Sequence, residues 1–272
     1  MEKYLIEYFK SLGINVQTST KARGHQGFYF NNRIDISKNI PPERVIPTLL
    51  HEFAHYIHSK IEPQIAKSGG SLKALFKDDN PIIKKELLYI TNFVDKNSLC
   101  ERLNAHKKNT QEKIKYYDKL IKLDYPKFQR SKKFKEFDRY IKNSNAKYLL
   151  KYDRVKLITG FFKRQAKIYS INTIEEDFSE MPKAFANYLR LNSYRKKQTR
   201  IQNRINKTKK YYERPTELFA RLVEGLYKDE EFVRNLAPYT TKIFYQLLDE
   251  GCYKELKNII QYIENYKKLH SI

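Results

Sequence analysis

Cysteine is scarce. The two in the sequence, Cys100 and Cys252, cannot build a disulfide framework, which argues against a small secreted scaffold. No apolar run approaches the roughly 20 residues of a membrane-spanning helix, and no cleavable leader is expected, so the simplest compartment is the reducing cytosol and a cytoplasmic location is expected. The first residues, MEKYLIEYFKSLG, read instead as a short amphipathic helix with Leu5, Ile6, Phe9 and Leu12 inward and Gly13 past its end. Internal repeats and Gly/Ser linkers are also missing, and 272 residues suit one main core, or one core plus a large appendage.

Acidic residues are outnumbered. Against 54 Lys and Arg stand 31 Asp and Glu, and the formal net charge of +23 suggests a polyanionic partner such as nucleic acid. Lysine, asparagine, isoleucine and tyrosine are all abundant, as in proteins from AT-rich genomes, and such a bias adds lysine without a binding role. It should act evenly along the chain, yet residues 107–214 hold 31 Lys and Arg against 11 Asp and Glu. Apolar positions recur there at helical spacing, so the segment reads as folded helices with basic outer faces, an insertion or arm. Arg190, Lys197 and Arg204 recur every seven residues, and with Arg200 and Lys207 they are the candidates for nucleic-acid contact. Tyr116, Tyr117, Phe134, Phe137 and Tyr140 are interleaved with the basic residues, where they serve either as base-stacking residues or, at helical spacing, as core.

The only convincing strand signals lie in residues 14–37. There GFYF and RIDIS flank Asn31 and Asn32, a pair that tolerates the positive φ of a tight hairpin. RIDIS is expected to form the sheet edge along which an extended peptide pairs. A helix then starts at PPER and runs to about Lys60, where IEPQIAKSGGS breaks it. From Asn80 onward the reading is helical almost throughout, with breaks near Pro126, Gly160, Pro182, Pro215 and Pro238.

The chemistry is concentrated in TLLHEFAHYIH, residues 48–58. His51 and His55, four apart on a helix, share a face about 6 Å apart along the axis, close enough for both imidazoles to bind one ion. Glu52 lies at the edge of that face, within reach of a metal-bound water without being a ligand; this is the content of H-E-x-x-H. His58 shares the face but lies about 10.5 Å from His51 along the axis, too far for both to bind one ion, and is expected at the rim of the cleft. A catalytic zinc needs a third protein ligand and an open position. The best donor lies in YYERPTELFARLVEGLY, where Glu217 follows the helix-starting Pro215 and shares a polar face with Ala220, Arg221 and Glu224. Glu213 and Glu224 are lesser candidates, and Arg221 either pairs with Glu217 as an i,i+4 neighbour or orients it. Tyr211, Tyr212 and His25 are candidates to stabilise an oxyanion.

HEFAH followed at long range by PTELFAR resembles the gluzincin pattern, in particular the small cytosolic metallopeptidases of the ImmA/IrrE and SprT-like kinds. The resemblance covers roughly residues 25–60 and 211–227. It implies a zinc-dependent endopeptidase acting on protein or peptide, with one zinc ion held by His51, His55 and Glu217 and with Glu52 as general base and acid. The long basic segment between the ligand helices departs from the minimal forms of such enzymes. The expected fold is α+β and predominantly helical: a zincin-like core with a small N-terminal sheet, formed by residues 1–106 and 211–272 around a basic helical insertion at 107–210. The alternative function is a nucleic-acid-binding protein, or a DNA-associated protease, that uses the basic segment.

Overall fold

The computed structural model describes residues 1–19, 26–64, 69–95, 99–159 and 165–270. The fold is α+β and mainly helical, and the chain divides into two compact units: Met1–Ser98 with Lys210–Ile272, and Leu99–Lys209.

In the first unit, helix α1 (Glu2–Ser11) buries Leu5 and Phe9, and Gly13 follows it at φ +80°. Phe9 stacks on Phe53 of helix α2 (Pro42–Ile61) with ring centroids 4.6 Å apart. Strands β1 (Asn15–Ser19), β2 (Gly27–Phe30) and β3 (Arg33–Ser37) form one sheet in the order β1-β3-β2. The β2–β3 connection is the expected tight turn: Asn31 and Asn32 have φ of 46° and 57°, values that asparagine tolerates better than most residues. The expected edge is corrected. RIDIS is the central strand, parallel to β1 and antiparallel to β2, so among the described residues β1 and β2 are the edges and β2 is the edge that lies against α2. Strand order follows from long-range pairing, and a local alternation pattern does not encode it.

Short helix α3 (Leu72–Phe76) and helix α4 (Pro81–Val94) follow. After the second unit the chain returns with α9 (Pro215–Lys228), α10 (Glu230–Leu236), α11 (Pro238–Asp249) and α12 (Lys254–His270). Pro215 and Pro238 each sit in a first turn, where the missing N–H breaks no helical bond. Helix α9 lies against both α2 and α4. Gly225 permits its approach to α4: a Cβ there would meet Ile90 Cγ2 at 2.9 Å. Leu49, Leu50, Phe53, Leu218, Phe219 and Leu222 belong to the common core of this unit.

The second unit contains α5 (Leu99–Asp124), α6 (Lys132–Asn143), strands β4 (Arg154–Thr159) and β5 (Gln165–Ser170), the short α7 (Ile174–Asp177) and α8 (Lys183–Tyr212), whose last residues fall in the first unit. It begins at Leu99 rather than 107, because α5 is continuous from there and its Leu103 clusters with Ile201 and Ile205 of α8. A separate core forms around Phe128, Phe137, Ile141, Leu149, Phe185 and Leu189. The antiparallel β4–β5 ribbon corrects the all-helical expectation for this segment. Its signal is local. Arg154 and Lys156 alternate with Val155 and Leu157, which face the core, a period of two that a helix cannot use. The expected break at Gly160 lies outside the described residues.

A buried acid joins two elements of the first unit. Glu86 of α4 accepts hydrogen bonds from the backbone N–H and hydroxyl of Thr240, at 2.7 and 2.6 Å, in the first turn of α11, where N–H groups have no helical partner. Glu86→Ala should therefore destabilise the chain by about 2–4 kcal/mol, since buried donors lose a charged acceptor, and Glu86→Gln should cost less. Urea unfolding of both variants checks the difference.

Candidate metal centre

The α2 sequence turns one face toward α9, and Arg44, His51 and His55 recur on it at spacings of seven and four. Ala54 and Ala220 are fully buried, and their small side chains leave room for close helix packing. His51 Nε2 lies 3.5 Å from Glu217 Oε2, and His55 Nε2 lies 3.5 Å from Glu217 Oε1. One donor atom from each of His51, His55 and Glu217 can be chosen so that all lie within 4.8 Å of one another.

These residues fit a metal ion. Ligands about 2.0–2.1 Å from a tetrahedral ion are roughly 3.3 Å apart, close to the two contacts found. Glu217 Oε2 is buried and accepts no hydrogen bond, so its negative charge faces imidazole nitrogen across a gap of the right size for a cation. The tautomer is also set. His51 Nδ1 is 3.2 Å from Glu224 Oε2; an ionised carboxylate only accepts, so Nδ1–H donates and Nε2 keeps its lone pair for an ion.

Glu224 in turn is held by two guanidinium groups, Arg44 at 3.0 Å and Arg221 at 2.9 Å. Behind Arg221, Asp95 lies 3.9 Å away and accepts a 2.6 Å hydrogen bond from the Tyr212 hydroxyl. Arg221 therefore does not pair with Glu217 at i,i+4, as one reading expected; it grips Glu224 at i+3 and steadies His51 through it. Glu224 is an orienting group rather than a third ligand. Glu213 is exposed. Tyr211 stands beside the Glu217 carboxylate, and burial together with that charge pushes its hydroxyl pKa up. Tyr212 is taken up by Asp95 and by the Arg221 guanidinium, 5.7 Å from its ring centroid. His25 lies outside the described residues.

His58 is not at a rim. It is fully buried, with Glu62 at 3.4 Å and Phe219 packed edge-on to its ring. Gly70 closes over it: a Cβ at Gly70 would stand 2.7 Å from His58 Cε1. The covering residue lies twelve positions on, beyond the helix whose periodicity suggested the rim.

Glu52 is buried beside the cluster without joining the ligand set. Desolvation pushes its pKa up to about 7, opposed by the charge of His51, while the Tyr29 backbone N–H on β2 donates to it. Gly27 admits this contact, since a Cβ there would lie 2.5 Å from Thr48 Cγ2 and 2.9 Å from Glu52 Oε1. Burial, with the charge of His51 beside it, lowers His55 to about 3, so that ring is a neutral donor. Burial also opposes charge on His51, but the carboxylates of Glu217 and Glu224 outweigh it and raise His51 to about 9. Glu217, despite burial, is held well below the usual carboxylate range by the two rings.

Sequence reasoning missed Arg44, Asp95 and Gly27. Only Arg44 left a signal, seven residues before His51 on the same face.

In the second unit, three of the five nucleic-acid candidates have structural partners. Arg190 forms a bidentate pair with Glu175 at 2.6 Å and donates to the Ile171 carbonyl. Lys197 pairs with Asp153 at 2.8 Å, and Arg200 donates to the Lys151 carbonyl. Arg204 and Lys207 are exposed. Of the aromatic residues, Phe137 is buried, Phe134 packs against the same core, and Tyr117 stacks on Tyr194, whereas Tyr116 and Tyr140 are exposed. A seven-residue spacing cannot separate a contact face from an inward one without knowing the angle at which the helix packs.

Comparison of the chain with protein-family models, with curated proteins and with solved structures finds no match. Among the described residues, no helix is long and apolar enough to cross a membrane.

Two outcomes follow from this geometry. At about pH 8, below the His51 pKa and above that of Glu52, zinc binding should release about one proton from His51 and up to about one more from zinc-bound water, the second surviving in His51→Ala where zinc is retained. Affinity should then rise with pH up to about 9, and calorimetry in buffers of different ionisation enthalpy measures the proton count. Glu224→Ala should weaken zinc binding about 10–100-fold, the usual cost of losing the group that orients a ligand histidine, as read by competition with a chromogenic chelator.

Proposed function

We propose that the chain is a cytoplasmic zinc-dependent metallopeptidase in which His51, His55 and Glu217 hold one zinc ion and Glu52 is the general base. The observation that carries this reading is the pair of 3.5 Å approaches between the two Glu217 oxygens and the two Nε2 atoms, made by residues 162 positions or more apart in sequence. Zinc bound there supplies Lewis acidity, making water acidic near neutral pH and polarising a carbonyl.

The remaining work falls to side chains. Glu52, adjacent in sequence to a ligand but outside the ligand set, accepts the proton of the attacking water and returns it to the leaving amine nitrogen. Its pKa near 7 suits both directions of transfer at neutral pH. Glu224 keeps the His51 ring from rotating. Strand β2, with one side unpaired in the sheet and Tyr29 N–H beside Glu52, supports an extended peptide as substrate, added along that side. The scarcity of cysteine supports a reducing compartment.

Glu52→Gln is expected to keep one zinc per chain and lose about 10²–10⁴-fold in peptidase rate, the range for removal of a general base. His55→Ala and Glu217→Ala should lose zinc as well as activity. Metal content by atomic emission beside cleavage of unfolded casein distinguishes these cases, and full activity of Glu52→Gln would refute the assigned base.

A further inference from the structure

The second unit carries a charge distribution that its own folding does not require. Helix α8 contains no Asp or Glu, and none occurs between Glu180 and Glu213. Ordinary solvated helices mix both signs at i,i+4, as α5 does with Asp118 and Lys122. On α8, Lys196, Arg200, Arg204 and Lys207 lie within one arc of the helix and all are exposed, over roughly 16 Å of its length.

A second basic segment docks beside them. Arg200 donates to the Lys151 carbonyl and its guanidinium lies 5.2 Å from the Tyr152 ring centroid. Lys151, Arg154 and Lys156 extend the exposed positive surface onto the β4 strand. Asp153 is the one acid between Asp138 and Glu175, and Lys197 neutralises it at 2.8 Å. Two tyrosines of this segment are exposed, Tyr152 at 49% beside Arg200 and Tyr148 at 38% beside Lys147.

We propose that this unit binds single-stranded nucleic acid along the face formed by Lys196, Arg204 and Lys207 and by Lys151 and Arg154, with Tyr148 and Tyr152 as stacking surfaces for bases. A row of cations of one sign tracks a phosphate backbone and gains from counterion release. Exposed rings set among them favour unpaired bases, whose faces are open to stacking, over a duplex. The inference goes beyond the peptidase reading and stands or falls without it.

The test uses the full chain and a labelled oligothymidylate of about 20 nucleotides, followed by fluorescence anisotropy as salt rises from about 50 to about 200 mM. Binding should weaken steeply, with a log–log slope of about −3 for four to five phosphate contacts. Lys196→Glu/Arg204→Glu/Lys207→Glu should lose at least about tenfold in affinity and reduce the slope by about 2. Lys84→Glu/Lys85→Glu/Lys242→Glu, an equal charge change on exposed residues of the first unit, should lose far less, with circular dichroism confirming that both variants fold. Tyr148→Ala/Tyr152→Ala should weaken binding to oligothymidylate more than to an abasic strand. No binding at low salt, equal losses in the two charge variants, equal losses on the abasic strand, or capture by phosphatidylserine vesicles but not by the strand would each overturn the proposal.

Discussion

A carboxylate with almost no solvent contact must find its counter-charge inside the protein, and Glu224 finds it in Arg44 and Arg221 on one side and the His51 ring on the other. Leaving such a group buried and unpaired costs several kcal/mol. Helix α9 therefore fits against α2 where Arg44 and His51 reach Glu224, Arg221 completing the set from α9 itself, and that fit carries Glu217, two turns earlier on α9, to the Nε2 atoms of His51 and His55. The ligand geometry is in this sense a consequence of second-layer ion pairing. The apolar contacts hold the helices together; the ion pairs choose the register.

The same cluster bears on how the proposed site would accommodate a dication without a change in net charge at a pH below that at which Glu52 ionises. With a proton on His51 and a neutral Glu52, the positive groups are His51, Arg44 and Arg221 and the negative ones Glu217 and Glu224. With a dication, a neutral His51 and an ionised Glu52, the total is the same. The opposite shifts of His51 and His55 follow from their neighbours: His51 faces two carboxylates, whereas His55 is buried next to the charge of His51. One ring of the pair carries a proton that a bound ion would displace, and the other is already neutral.

What could be read from the sequence was whatever is encoded within one helix or one turn. HEFAH, the polar stripe from Glu217 to Glu224, the Asn31–Asn32 turn and the proline-started helices are all local patterns, and each appears at its expected place. The misreadings share a different cause. RIDIS became a central strand because β1 pairs with it from eighteen residues upstream, and His58 became buried because the Gly69–Gly70 segment folds back over it. Arg221 changed partner because Asp95 and Glu224 together outbid a single i,i+4 neighbour. The β4–β5 ribbon was visible as a period of two, but it was masked by helical segments on either side of similar composition.

Composition alone leaves the basic unit ambiguous, since coding bias adds lysine everywhere; the sign segregation along one helix is the feature that the nucleic-acid proposal rests on. Bias toward lysine does not remove acids from a 30-residue helix while the neighbouring α5 keeps Glu101, Glu112, Asp118 and Asp124. Within this unit Arg190 pairs with Glu175, Lys197 with Asp153 and Arg195 with Asp118, and Arg200 donates to the Lys151 carbonyl, whereas Lys196, Arg204 and Lys207 of α8 are exposed. The remaining arc of α8 repels itself, a cost that grows at low salt and that a compact unit has no reason to keep. The polyanion proposed for that arc would remove the cost, and exposed tyrosines such as Tyr152 would give bases a surface that a bare phosphate chain would not use.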